Sequence, residues 1–114
     1  MEQVDKYISW GDFTKIEIRV GTITHAEVFE EALKPAYKVT VDFGEFGICK
    51  SSAQITKLYK PNELIGKQVV AVTNFPPKQI ANIQSNCLIL GAVNNNEVTL
   101  LTTDLPVKNG LRIG

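Results

Sequence analysis

Residues 67–93 read KQVVAVTNFPPKQIANIQSNCLILGAV, in which a polar segment separates two apolar runs. The runs, Val69 to Val72 and Leu88 to Val93, have the length and composition of strands that are buried on both faces of a small barrel. The segment between them contains Pro76 and Pro77, which lack amide protons and have fixed φ angles. We therefore predict two core strands joined by a rigid, cationic loop that is not itself a strand and that suits binding better than catalysis.

The composition is that of one soluble domain. The chain has 114 residues, of which 44% are hydrophobic, and a domain of this size buries roughly two thirds of the surface that its unfolded chain exposes. The sequence has no apolar run of the roughly 20 residues that a membrane span needs and no secretory signal at its N-terminus, so we expect a cytoplasmic protein without membrane insertion. In a reducing compartment Cys49 and Cys87 are expected to be small core residues rather than a disulfide.

Charged residues are unevenly distributed, although the formal net charge is zero. Residues 1–31 contain seven acids and three bases, a balance of −4, whereas residues 32–80 contain seven lysines and three acids, a balance of +4. A basic segment is typical of proteins that bind phosphates, but lysines also solvate ordinary exposed strand faces. The charge pattern alone leaves both interpretations open.

Apolar and polar residues alternate through the first part of the chain, which is the period of β-strands. A first strand is predicted from Ile16 through Val20, and the phase slip just past Gly21 indicates a β-bulge there. The other predicted elements are strands over residues 37–43 and 46–52, a short helical turn over residues 57–66, the two strands of residues 67–93, and a hairpin at Asn94–Asn96 that leads into residues 98–102. Five principal strands with a short helix between the third and the fourth predict an all-β, OB-fold Greek-key barrel, which explains the helix better than an SH3-type barrel does.

Large apolar residues also lie outside the five predicted strands, at both ends of the chain. Ser9 and Asp12 have the spacing of a helix capping box. The apolar residues are Val4, Tyr7, Ile8, Trp10 and Phe13 near the N-terminus, and Leu105, Val107, Leu111 and Ile113 near the C-terminus. Both ends either fold back onto their own barrel or pack against a second copy of the chain, and the pattern leaves these alternatives open.

Catalytic and metal-binding patterns are missing from the sequence. His25 is the single histidine, and it is expected at an ordinary surface position. No cluster of histidine, cysteine and carboxylate residues has metal-ligand spacing, and the common nucleotide-binding and nucleophile motifs do not occur. We therefore expect a protein that is not an enzyme and that has no catalytic residue, no metal and no cofactor.

Several segments together resemble the OB-fold tRNA-binding-domain family, which includes free-standing tRNA-binding proteins and modules appended to some aminoacyl-tRNA synthetases. The segments that carry the resemblance are Ile16–Gly21, Lys34–Pro35, Tyr37–Lys38, Val41–Gly44, Gly66–Val70, Asn74–Lys78 and Ser85. Within the family, Ser51–Thr56 and the Asn-Phe-Pro-Pro run are most similar to the CsaA-type export-related chaperones, which are small cytoplasmic homodimers. Asn82 stands where the family usually has glycine, and asparagine is one of the few residues that adopt the left-handed conformation readily.

The resemblance implies a single OB-fold domain over residues 9–114, preceded by an N-terminal extension over residues 1–8. It also implies a homodimer that is built from the terminal segments. Two ligands are implied, namely tRNA and unfolded precursor proteins bound for export, and an export motor ATPase is a further candidate partner.

These two ligands require different side chains. Binding of tRNA requires cations near phosphates and small polar groups near riboses and bases; the candidates are Lys34, Lys38, Lys50, Ser51, Ser52, Asn74, Lys78 and Ser85. Binding of an unfolded segment requires an apolar groove or an open strand edge; the candidates are Tyr37, Phe75, Pro76, Pro77 and Ile80. We expect a CsaA-like chaperone with tRNA-binding capacity, and the alternative is a dedicated tRNA-binding protein with no chaperone role.

Overall fold

The computed structural model describes residues 6–114, whose regular structure is mainly antiparallel strands, and five of these strands wrap into a nearly closed barrel. The elements in chain order are α1 (Trp10–Thr14), β1 (Ile18–Val28), β2 (Tyr37–Asp42), a 3₁₀ turn (Gly44–Phe46), β3 (Ile48–Ala53), α2 (Pro61–Leu64), β4 (Gln68–Val72), β5 (Lys78–Ile80), β6 (Ile83–Ser85), β7 (Leu88–Ile89), β8 (Gly91–Asn94) and β9 (Glu97–Leu100). The predicted all-β OB-fold is confirmed, including the short helix α2 between the third and fourth strands. In the described part of the chain, no helix is long and apolar enough to cross a membrane.

The barrel is built around β1, which pairs with two different strands. Five strands form one sheet in the order β3-β2-β1-β4-β7. The first half of β1 pairs with β4, with Ile18 opposite Val72, and its second half pairs with β2, with Val28 opposite Tyr37. A single long strand therefore holds both halves of the barrel together.

Gly21 allows β1 to approach the barrel core closely. A Cβ atom at this position would lie 2.5 Å from Cγ1 of Val41 and 2.8 Å from the ring of Phe43, so a larger residue would clash with two fully buried side chains. The predicted bulge is present but not at Gly21: the register with β2 shifts between Ile23 and His25. β1 pairs with β4 up to Thr22 and with β2 alone beyond it, and the extra residue of the bulge lies just after this change.

The prediction that no strand occurs between the two apolar runs of residues 67–93 is wrong. A strand begins immediately after Pro77, and β5 and β6 form a separate two-stranded hairpin in which Lys78 lies opposite Ser85. The left-handed residue of the hairpin loop is Ala81, with φ of 48°, and not Asn82. A two-residue hairpin loop needs positive φ at its first central position, whichever side chain stands there.

The predicted fifth strand is also divided in two. Leu90 interrupts it: its amide donates to the Val70 carbonyl (2.9 Å), and its carbonyl accepts from the Leu101 amide (3.2 Å). β8 then leaves the barrel sheet and pairs with β9 in a hairpin. Asn95, in the predicted asparagine turn, has a φ of 56°, so the turn chemistry of this hairpin is confirmed.

The C-terminal segment folds back onto its own barrel. The Gly110 amide donates to the Val20 carbonyl (2.7 Å), and the Ile113 amide donates to the Ile18 carbonyl (2.8 Å). The guanidinium of Arg112 donates to the carbonyl of Thr14 (2.8 Å), which links this segment to α1. These contacts support the fold-back alternative for residues 110–113.

The N-terminal segment contains the predicted capping box. The Ser9 hydroxyl accepts from the Asp12 amide, and the Ser9 amide donates to the Asp12 carboxylate, both at 3.0 Å. These bonds satisfy the free backbone groups at the start of α1. Val4, which the sequence pattern grouped with Tyr7 and Ile8, lies outside the described residues.

Candidate functional site

A groove of about 690 Å³ lies between the loop Phe29–Ala36, which joins β1 to β2, and the β5–β6 hairpin. Four of the predicted tRNA-binding residues line this groove: Lys34, Ser52, Lys78 and Ser85. Ile80, predicted to bind peptide, lines it as well. Three chain segments that are distant in sequence, residues 31–36, 52–54 and 78–88, thus contribute to one concave surface.

Backbone geometry brings the polar groups of the groove together. Lys78 and Ser85 are paired across the hairpin, so their side chains lie on the same face of it. The Ser52 amide donates to the Ser85 hydroxyl (3.3 Å), which ties the hairpin to β3. The hairpin is therefore held against the barrel with an ammonium group and two hydroxyl groups beside the groove.

A small apolar cluster supports the two walls. Phe29, Ala36 and Ile83 are buried together, and Ala32 and Ile80 pack against them. The cluster joins the Phe29–Ala36 loop to the hairpin, so the loop has a defined position although it contains no regular strand. Ile80 contributes to this support as well as to the apolar surface of the groove.

Two of the predicted lysines lie outside the groove lining. Lys38 forms an ion pair with Glu27, with 3.1 Å between the ammonium and the carboxylate, and its ammonium lies 5.3 Å from the centre of the Phe29 ring. Lys50 is exposed on β3, two residues before Ser52. Since alternate residues of a strand point to the same face, Lys50 extends the polar surface of the groove along β3.

Ser51 and Tyr37 lie in the core and not on the predicted binding surface. Ser51 is 2% exposed and Tyr37 is 7% exposed, because the alternation of β3 and β2 points these residues into the barrel. The Tyr37 hydroxyl donates to the Tyr59 carbonyl (2.7 Å), a bond that satisfies its buried polar group. Neither side chain is available to a ligand on the surface of this structure.

Asn74 holds the backbone in place. Its Oδ1 accepts from the Glu17 amide (2.9 Å), and its Nδ2 donates to the Lys15 carbonyl (2.7 Å). The side chain therefore binds the segment that leads into β1. Phe75 and the two prolines follow directly and are exposed.

Sequence reasoning missed several groove residues, namely Glu31, Leu33, Gln54, Gln79 and Leu88. Leu33 is fully exposed, and the available signal was a leucine directly before Lys34 in the connection between the first two strands. The others gave no signal, because their contribution depends on how the hairpin folds against β3. Among residues 6–114 no group of three or more metal-ligating side chains occurs.

Comparison with known proteins points to one family. Residues 18–112 match the family model described as "Putative tRNA binding domain". The methionine–tRNA ligases of Caldanaerobacter subterraneus and Pyrococcus furiosus are each 37% identical over 112 residues, which are 98% of this chain. The chain spans only 17% and 15% of the length of these two ligases, so the similarity concerns a small part of each.

Two solved structures are similar over nearly their whole length. The chaperone CsaA of Bacillus anthracis is 48% identical with a TM-score of 0.90, and the alignment covers 95% of this chain and 99% of that one. The CsaA chaperone protein of Picrophilus torridus is 51% identical with a TM-score of 0.89, and the alignment covers 95% of this chain and 100% of that one.

Replacing Asn74 by alanine should lower stability. The Asn74→Ala variant loses two hydrogen bonds to the backbone, and we expect the free energy of unfolding to fall by about 1–3 kcal/mol. Urea unfolding measures this difference. The control is Asn62→Ala, an exposed residue of α2, which should change stability by less than about 0.5 kcal/mol. Unchanged stability of Asn74→Ala would contradict the role of a backbone clamp.

Proposed function

The chain belongs to the tRNA-binding-domain family, and from this premise we propose that it is a non-catalytic OB-fold protein that binds tRNA in the groove between the Phe29–Ala36 loop and the β5–β6 hairpin. The observation that carries this proposal is the convergence of Lys34, Lys78, Ser52 and Ser85 on one concave surface. Each of these residues was a candidate for tRNA binding on sequence grounds alone.

The chemistry of the groove suits a folded RNA backbone. Lys34 and Lys78 come from different walls, so two phosphates can each meet an ammonium group. The hydroxyls of Ser52 and Ser85 can hydrogen-bond to phosphate oxygens or to ribose 2′-hydroxyls. Lys50 continues the cationic surface along β3, whereas Lys38 contributes less because it is already paired with Glu27.

Exposed apolar groups favour a second function, that of a CsaA-like chaperone for unfolded export precursors. Leu33 is fully exposed beside the groove and Phe75 is 54% exposed, followed by Pro76 and Pro77. Exposed apolar groups of this kind can hold the apolar side chains of an extended chain. The identity of 48–51% with two chaperones supports a chaperone function. The cytoplasmic location and the export motor ATPase as a partner belong to the proposal only as what the family resemblance implies.

The same resemblance supports a homodimer, for which the two chain ends offer the surface. Tyr7, Ile8 and Trp10 are each at least 72% exposed, and Leu105 is 69% exposed. The Arg112 guanidinium donates to the Thr14 carbonyl, so the last residues of the chain lie against the end of α1. A second copy of the chain that covers them would remove large apolar side chains from water, which is the usual driving force for a symmetric dimer.

The tRNA proposal predicts a specific change in salt dependence. Affinity for total tRNA should fall as the salt concentration rises, so the slope of log affinity against log salt concentration is negative. In the double variant Lys34→Ala/Lys78→Ala this slope should become shallower by about two, roughly one for each lost phosphate contact. Filter binding or fluorescence anisotropy over a salt series measures the slope. Lys67→Ala removes an exposed lysine outside the groove and should leave the slope unchanged. Equal slopes for the double variant and the wild type would refute this site.

The chaperone proposal predicts that the protein suppresses aggregation of an unfolded secretory precursor. The double variant Leu33→Ser/Phe75→Ser should lose most of this suppression, because it removes apolar contact area, while its tRNA salt slope should stay that of the wild type. Light scattering during dilution of the denatured precursor measures the effect. The control Ile48→Ser changes an exposed isoleucine outside the groove. Absence of suppression by the wild type would leave the alternative, a dedicated tRNA-binding protein.

The dimer proposal predicts a wild-type mass of two chains in sedimentation equilibrium. The variant Trp10→Glu/Leu105→Glu should sediment as a folded monomer, since both side chains are exposed in the single chain and a buried charge is costly at an interface. Circular dichroism checks the fold. Leu33→Glu places the same charge on the groove loop and should leave the dimer intact. A monomeric wild type, or a dimeric double variant, would contradict this interface.

A further inference from the structure

The two cysteines, distant in sequence, are brought together where the barrel closes. Cys49 belongs to β3 and Cys87 follows β6. The amide of Asn86 donates to the carbonyl of Lys50 (3.0 Å), and the Lys50 amide donates to Oδ1 of Asn86 (3.2 Å), so the two backbone segments lie side by side. The Cys87 sulfur lies 3.9 Å from the same Lys50 carbonyl.

Both side chains point into the same part of the core. Cys87 is buried in the main apolar cluster, and the half-buried Cys49 packs against this cluster. Both are free thiols, and both belong to this one cluster. Alanine or valine would fill the same space, whereas two neighbouring thiols can also be oxidised to a disulfide.

We propose that Cys49 and Cys87 form a reversible intramolecular disulfide with a low-molecular-weight disulfide as the oxidant. The thiolate of the more accessible Cys49 attacks the oxidant, forms a mixed disulfide and releases one thiolate of the oxidant. The thiolate of Cys87 then attacks the Cys49 sulfur and releases the second. The two protein thiols lose two electrons and two protons in total, and the oxidant is reduced to two thiols.

This disulfide would fasten β3 to the connection between β6 and β7. The Ser52–Ser85 hydrogen bond lies close by on the same two segments, so the crosslink would restrain one wall of the groove. It would also close a long chain loop and thereby restrict the unfolded state. We expect the melting temperature to rise by about 10 °C on oxidation.

The reaction should be slow at neutral pH and faster in alkali. Burial raises the pKa of both thiols, and the neighbouring Cys49 adds to this effect at Cys87, whose pKa rises to about 12. Because the thiolate is the nucleophile, only a small fraction of either cysteine is reactive at neutral pH. The rate of disulfide formation should therefore increase about tenfold per pH unit between about pH 7 and pH 9.

The test uses the native full-length chain with oxidised glutathione. Intact mass spectrometry should show the loss of two hydrogen atoms, and peptide mapping should join Cys49 to Cys87. Native hydrogen exchange should show slower exchange of the amides of Lys50, Ser52 and Asn86 in the oxidised form. Dithiothreitol should restore the original mass and melting temperature. None of these readouts depends on tRNA or precursor binding, so the result is separate from the proposed function.

Two variants identify the order of attack. Cys87→Ser should stop at a stable mixed disulfide with glutathione on Cys49, and Cys49→Ser, which changes the less buried position, should react much more slowly than the wild type. The proposal is overturned if both thiols of the native chain stay free under conditions that oxidise the urea-unfolded chain. A persistent glutathione adduct on the wild type, or a disulfide between two chains, would overturn it equally.

Discussion

The backbone contact between Lys50 and Asn86 is the interaction on which the rest of the structure depends. The Asn86 amide donates to the Lys50 carbonyl, and the Lys50 amide donates to the side-chain oxygen of Asn86. These bonds lie where β3 meets the connection between β6 and β7. Since a curved sheet with open edges would leave amides and carbonyls unpaired, closure satisfies groups that would otherwise remain free. The same contact carries the β5–β6 hairpin onto β3, and so it creates the groove.

Closure of the barrel also explains why a polar, cationic surface and a half-buried thiol both occur on β3. Outward-pointing residues beside the contact, such as Lys50 and Ser52, form part of the cationic surface, while their inward-pointing neighbours Cys49 and Ser51 enter the core. The alternation of side chains along β3 separates the two sets. A ligand surface and the half-buried thiol of Cys49 therefore occupy opposite faces of the same short strand.

The sequence predicted the residues of the groove correctly only where the local pattern around a residue agrees with its tertiary position. Lys34 and Lys78 lie beside prolines, which favour surface positions, and the structure brings them into one groove with Ser85. Asn74 lies in an equally suggestive motif, yet its amide group binds the backbone on both sides of Ile16. A family motif contains residues that hold the backbone as well as residues that face a ligand. The amino-acid sequence alone does not distinguish these two roles.

The first four principal strands, the short helix before β4, the capping box at Ser9 and the asparagine turn at Asn95 follow from the sequence alone, because alternation, capping and turn chemistry act among near neighbours. Only the tertiary structure decided the position of the β1 bulge, the β5–β6 hairpin with its left-handed Ala81, and the approach of Cys87 to Cys49. These features depend on contacts between residues far apart in the chain, and such contacts leave no periodic signal in sequence. Residues 67–93 illustrate this difference. Their apolar runs predicted core strands, whereas the β5–β6 hairpin between these runs forms a groove wall only because the barrel closes against it.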